Sequence, residues 1–245
     1  MMEKIMLPNN KDYYEKYYAD SSKRGVIVIA PGGGYSHTSP REGKPVALFF
    51  NSIGYHAVVI SYREELTNYP IPMEEVSYVV NELKNDGLVD NDKIIGCGFS
   101  AGGHLILASQ FLGFTSFKGL IMGYPVVSSD KEIAHLGSFV DLLGPNGEDE
   151  KMRRLVSIEH QITADAPDLF LWTTLTDSAV PMENSLRLVE AYHKVKANVE
   201  FHLYPLGMHG LSLATKETSG GDDNKVIEHI QSWMLLVKNW LKLKF

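Results

Sequence analysis

The sequence predicts a single α/β domain over residues 1–245: a mostly parallel sheet with helices on both faces and a small cap insertion at about 126–166. Three observations carry this. Short β-branched runs alternate with longer amphipathic stretches along the chain, as strands do with crossover helices. Most of the short runs are continuously apolar, as strands are when helices cover both faces of their sheet. A chain of 245 residues, 44% hydrophobic and 22% charged, can bury one sizeable core and is short for two.

Strands are expected over 25–30, 56–61, 93–98, 119–122, 169–174 and 200–203, and helices over 43–52, 73–85, 102–111, 183–196 and 224–241. The tyrosine-rich segment 11–19 is an expected edge strand. The stretch between the strands near 122 and 169 is too long for a simple connection. It carries Phe139, Leu142 and Leu143, then the polar run Gly147-Glu-Asp-Glu-Lys151, so helical turns forming the cap are expected there, and long insertions of this kind usually serve function.

A net charge of -7 leaves no cationic surface for phosphates, which argues against nucleic acid or anionic membrane and for a small neutral or cationic substrate. The one cysteine, Cys97, has no disulfide partner and lies in an apolar run. It reads as a packed strand residue rather than a catalytic thiol. The first residues lack the apolar core of a signal peptide, and no run approaches the roughly 18 apolar residues of a membrane span. A cytoplasmic protein is expected.

The strongest chemical signal is Gly98-Phe99-Ser100-Ala101-Gly102-Gly103, directly after an expected strand and before an expected helix. This is the arrangement of a nucleophile elbow: a serine on a strained turn, with flanking glycines that let neighbouring backbone approach. Ser100 is the candidate nucleophile, and the Ala101 N–H a donor to a developing oxyanion. Upstream, Pro31-Gly32-Gly33-Gly34-Tyr35 follows the strand 25–30. Consecutive glycines let backbone N–H groups face an anion without a Cβ in the way, so Gly33 and Gly34 are the second oxyanion candidates. Tyr35 is the candidate substrate contact. Tyr62 and Arg63 are read as buttresses of this loop, with a plain ion pair the alternative for Arg63.

With the elbow placed, the order Ser, Asp, His directs the search downstream. Asp177 lies just beyond the strand 169–174, whereas Asp165 and Asp168 precede it and fall at its opposite end. His209 follows the strand 200–203 in the glycine-flanked loop Gly207-Met208-His209-Gly210. The other histidines form no H-E-x-x-H or similar metal-ligand cluster. His104 is expected to pack or hydrogen-bond beneath the elbow, and His37 either lines the site or faces water. Neither a Walker loop nor a dinucleotide fingerprint is present, and no cofactor is expected.

These residues resemble the α/β-hydrolase esterases related to acetyl xylan esterases and, more distantly, the hormone-sensitive-lipase-like carboxylesterases. The resemblance covers about 25–213. It rests on Pro31-Gly-Gly-Gly-Tyr35, Ser61-Tyr-Arg63, Gly98-Phe-Ser-Ala-Gly-Gly-His-Leu105, Asp177 with Val180-Pro181, and His202-Leu-Tyr-Pro205 leading into Gly207-Met-His-Gly210. It implies the α/β-hydrolase fold and cleavage of acyl esters, often acetyl groups on sugars, through an acyl-enzyme. Lipase-like relatives begin the oxyanion loop with histidine where this chain has Pro31, which favours the sugar-esterase branch. Ser157-Ile-Glu and Ala166-Pro-Asp168 depart from the Ser-Pro-Glu and Pro-Pro-Thr of relatives, at the cap and its exit. An amidase, such as an arylformamidase or small peptidase, shares the triad and stays open, as does a non-catalytic homologue that only binds ligand.

Overall fold

Eight strands form one sheet: β1 (Met2–Met6), β2 (Tyr13–Tyr17), β3 (Arg24–Ala30), β4 (His56–Ser61), β5 (Val89–Phe99), β6 (Gly119–Gly123), β7 (Asp168–Thr174) and β8 (Val199–Tyr204). Their order across the sheet is β1-β2-β4-β3-β5-β6-β7-β8. β3 to β8 run parallel, while β2 pairs antiparallel with both β1 and β4. This is a computed structural model; it describes residues 2–9, 11–63 and 66–245, and Met1, the first residue of the N-terminal segment considered above, lies outside the described residues.

The helices are α1 (Lys44–Ser52), α2 (Ile71–Lys84), α3 (Ala101–Phe111), α4 (Leu136–Leu143), α5 (Glu150–Leu155), α6 (Glu183–Lys194) and α7 (Glu228–Lys244). Successive strand residues point to opposite faces, and the two cores divide accordingly. Val26, Val28, Leu169 and Leu171 enter the core that α2, α3, α4 and α6 cover. Ile27, Ile29, Phe170 and Trp172 enter the core beneath α1 and α7, which contributes Trp233 and Trp240. Cys97 is fully buried in this second core, and burial pushes its thiol far above its ordinary value. Among the described residues, no helix is long and apolar enough to cross a membrane.

All six expected parallel strands are present, and 11–19 contains the antiparallel strand β2. The segment between β6 and β7 holds the short helices α4 and α5, as its composition predicted. β1 was not expected: it is the outermost strand and nearly all exposed, so it carries no burial pattern to read. α7 begins four residues later than expected, because a short 3-10 turn (Asp223–Lys225) and the extended residues Val226 and Ile227 precede it.

Candidate active site

Ser100 stands where β5 turns into α3, with φ 53° and ψ -124°. A non-glycine residue in this region costs about 1–3 kcal/mol and persists only where its surroundings over-determine it. Here the backbone does so. A Cβ at Gly102 would lie 2.1 Å from the Ala30 carbonyl oxygen, and one at Gly98 would lie 2.5 Å from that of Gly102. Only glycine lets α3 start this close to β3. The Ser100 N–H donates to the Gly123 carbonyl at 3.1 Å, and the Val126 N–H donates back to that of Ser100 at 3.0 Å, which fastens the turn to β6.

The downstream residues meet this serine. His209 Nε2 lies 2.8 Å from Ser100 Oγ, and His209 Nδ1 lies 2.7 Å from Asp177 Oδ2. Asp177 is 5% exposed, and its other oxygen accepts the N–H groups of Ala179 and Val180, both at 3.0 Å. A carboxylate accepts only, so the imidazole carries its proton on Nδ1 and presents Nε2 as acceptor to the Ser100 hydroxyl. The two loops are stitched together behind the pair. Thr174 and Thr176 donate their hydroxyls to the Gly207 carbonyl at 2.8 and 2.9 Å. Asp168 instead opens β7 and pairs with Lys244 at 2.8 Å, at the opposite end of the strand.

The glycine-rich loop after β3 forms the facing wall. Gly33, Gly34 and Tyr35 have φ of 134°, 66° and 63°. Among the described residues, none accepts a hydrogen bond from the Gly33 or Gly34 N–H. Ala101 is the first residue of α3, where N–H groups lack an intrahelical partner. The candidate oxyanion donors therefore flank Ser100. Side chains strap this loop down: Tyr62 Oη donates to the Pro31 carbonyl at 2.8 Å, and the Gly32 N–H donates to Glu42 Oε2 at 2.7 Å. Arg63 stands over the Tyr35 ring and donates to the Thr67 carbonyl.

Tyr35 does not contact the pocket, and its expected role as a substrate contact is corrected. The side chain is fully buried, with its hydroxyl donating to His104 Nδ1 at 2.8 Å. His104 Nε2 lies 2.7 Å from the Val156 carbonyl. A carbonyl only accepts, so Nε2 holds the proton and Nδ1 receives the Tyr35 hydroxyl. Burial pushes His104 down to about 4, so the ring is neutral near neutral pH. It links the oxyanion loop to the end of α5 beneath the elbow.

The pocket has a volume of about 320 Å³ and reaches Gly33, Gly34, Ser100 and His209, with His37 and His135 on its rim. Three of its determinants were missed from the sequence. His135 caps α4, its Nδ1 accepting the Ser138 N–H at 3.3 Å, and burial, then the neighbouring His209, lowers its pKa. Tyr124 presents its ring edge-on to that of His209, with centroids 5.0 Å apart. Glu42 is a buried carboxylate at the base of the pocket. An acid directly after the glycine loop was visible in the sequence, but its partners come from distant segments.

The prolyl oligopeptidase family pattern matches residues 70–239, more than half of the chain. The chain belongs to the prolyl oligopeptidase family. This member has the α/β-hydrolase fold, and it is an enzyme of that class. It is 32% identical over 223 residues to endo-1,4-beta-xylanase B of Butyrivibrio fibrisolvens, covering 82% of this chain and 35% of that protein. It is 28% identical over 199 residues to an acetylxylan esterase of Xylanibacter ruminicola, covering 78% of this chain and 42% of that protein. The chain thus spans between a third and a half of the curated relatives it matches. It is similar along nearly its whole length to the acetyl ester-xyloside bifunctional hydrolase of Caldicellulosiruptor lactoaceticus, with TM-score 0.85, 30% identity and coverage of 98% of this chain and 95% of that one. The resemblance to acetyl xylan esterase-like enzymes agrees with these relatives.

Proposed function

We propose that this prolyl oligopeptidase family member is a serine esterase that removes short acyl groups, acetyl above all, from small esters, acetylated sugars among them. The observation that carries this reading is the unbroken hydrogen-bond chain from Asp177 through His209 to Ser100, opening into a pocket walled by Gly33 and Gly34. His209 takes the Ser100 proton as Oγ attacks the ester carbonyl, and the N–H groups of Ala101 and Gly33 or Gly34 hold the oxyanion. His209 then protonates the leaving alcohol, and an acyl-enzyme remains on Ser100. Water attacks that ester, giving its proton to His209, and the acid leaves as Ser100 recovers the proton.

Two features support the short-acyl part. The pocket is small and its rim carries His37, Ser39, Arg41 and His135, whereas a long chain gains affinity only by burying methylenes, at about 0.8 kcal/mol each. The names of two relatives, an acetylxylan esterase and an acetyl ester-xyloside hydrolase, point the same way. A peptidase family name favours amide cleavage as the second reading.

The test has two parts. An organophosphonate should label Ser100 in a digest read by mass spectrometry, since only an activated hydroxyl reacts readily with it; an adduct mainly elsewhere would remove the nucleophile. Values of kcat/KM for acetyl, butyryl and octanoyl esters of one chromogenic alcohol, beside an acetylated sugar and a formanilide, decide the substrate. Acetyl should lead. An octanoyl preference above about tenfold, roughly 1.4 kcal/mol of transition-state preference, would replace the reading with a lipase-like one, and a faster formanilide would replace it with an amidase.

A further inference from the structure

Glu42 lies in the short turn between the oxyanion loop and α1 and is 2% exposed. Its carboxylate has two separate employments. Oε2 accepts the Gly32 N–H at 2.7 Å, on the loop that carries Gly33 and Gly34. Oε1 accepts the Tyr124 hydroxyl at 2.7 Å, and that hydroxyl oxygen in turn accepts the Ser212 N–H at 2.8 Å, three residues past His209. The Tyr124 ring meets the His209 ring on the way. A Cβ built on Gly32 would fall 2.8 Å from Glu42 Oε2 and 2.9 Å from the Cβ of Ser100, so carboxylate and nucleophile flank the same backbone atom. The next residue back repeats the connection: the Arg41 guanidinium donates to the Gly210 carbonyl at 2.8 Å, and Ser212 Oγ donates to the Arg41 carbonyl at 2.8 Å.

We propose that Glu42 is a positioning residue whose carboxylate sets the spacing between the oxyanion loop and the histidine loop. This rests on the esterase reading. The chemistry requires an acceptor at both ends. A Gln at this position has one carbonyl oxygen and one NH₂: with the NH₂ on Gly32 two donors face each other, and with the NH₂ on Tyr124 the hydroxyl oxygen, which already accepts the Ser212 N–H, must accept a second donor while its own proton loses its acceptor. The bond that fails lets one loop move relative to Ser100. Displacement of an oxyanion donor acts on the transition state and leaves ground-state binding nearly unchanged.

The experiment compares wild type, Glu42→Gln and Tyr124→Phe with 4-nitrophenyl acetate, counting active sites by organophosphonate titration and measuring inhibition by a boronic acid that mimics the tetrahedral intermediate. For Glu42→Gln, kcat per titrated site should fall on the order of 10- to 100-fold with KM within about twofold, and the boronate Ki should rise by the same factor as kcat/KM falls. Tyr124→Phe keeps the Gly32 bond and should lose less, roughly three- to tenfold. A loss confined to the number of titratable sites would mean that Glu42 only supports folding, and would overturn the proposal. Full kcat per site in Glu42→Gln would do the same. If Glu42→Gln does not fold, Tyr124→Phe with wild-type kcat and boronate affinity would overturn it alone. Active wild type with unaffected variants removes only the role of Glu42, whereas wild type inert to both ester and phosphonate removes the esterase reading and this proposal with it.

Discussion

The pocket lies between two glycine-rich turns, each following a buried strand, and one of them carries side-chain straps that the other does without. The elbow at 98–103 is fixed by backbone against backbone: Gly98 and Gly102 have no room for a Cβ, and the contacts lie within the turn or on the adjoining end of β3. The loop at 31–39 has a backbone overlap of its own, a Cβ at Gly33 falling 2.0 Å from the His37 carbonyl oxygen, and adds side chains from outside the loop: Tyr62 on the Pro31 carbonyl, Glu42 on the Gly32 N–H, and His104 beneath Tyr35. The first wall is set by local sterics, the second by local sterics together with an assembled network. Substitutions of the strapping side chains should therefore fail by degrees, where a Cβ at Gly98 or Gly102 in the elbow fails all at once.

The largest effect belongs to the elbow wall and its triad. Asp177→Asn should keep the fold and lower kcat by roughly 10⁴-fold if the triad works as in serine proteases, since an amide can hold the imidazole in the wrong tautomer. Steady-state kinetics beside a circular dichroism spectrum checks this, and near-normal kcat would break the assignment of the acid. Next comes Gly102→Ala, which forces a Cβ to within 2.1 Å of the Ala30 carbonyl. A backbone overlap of that kind has no flexible partner to yield, so a loss above about 4 kcal/mol is expected in denaturant unfolding. A variant as stable as wild type would show that the elbow has slack.

The loop wall should give smaller changes. Tyr35→Phe leaves the ring in its packing against Tyr62 but strips His104 Nδ1 of its donor, a buried polar atom left unsatisfied at about 1–3 kcal/mol. Unfolding midpoints read the stability term. Kinetics should show kcat falling with KM steady, because the tyrosine touches the loop and not the substrate. A change in KM alone would return Tyr35 to the substrate contact that the sequence suggested.

The contrast also explains what was legible in the sequence. The elbow, Asp177 and His209 were readable because each sits at a fixed place relative to a strand end, and the strands announced themselves as continuous apolar runs. The Gly33-Gly34 loop was visible for the same reason. Glu42, Tyr124 and His135 were not, since their meaning lies in partners 10 or 82 residues away for Glu42 and in a helix cap for His135. Tyr35 was misassigned because its place beside the glycines suggested contact with substrate, whereas its positive φ directs the side chain inward to His104. β1 was missed for want of any buried face.

The remaining prediction tests the strap by its pH dependence, because the loop rests through Tyr35 on the buried titratable ring of His104. In the folded state burial holds His104 down to about 4, against an ordinary value of 6.5. Above about pH 6.5 the ring is neutral in both states and contributes no pH dependence. Between about 6.5 and 4 the unfolded chain binds a proton that the folded chain refuses, so stability falls with acidification at up to about 1.4 kcal/mol per pH unit. Below about 4 both states are protonated and the loss levels off near 3 kcal/mol. Tyr35, Phe139 and the Val156 carbonyl surround the ring, and none offers a charge to offset the burial. His104→Gln supplies one donor and one acceptor without a titration, so it should be the less stable protein at pH 7.5 yet lose less stability on acidification. Denaturant unfolding of both proteins at half-unit steps from pH 7.5 to 4.5 decides it. The wild-type advantage should shrink from pH 6.5 downward; parallel curves would mean that acid loosens some other part of the molecule and that the Tyr35–His104 strap does not set the acid sensitivity of the fold.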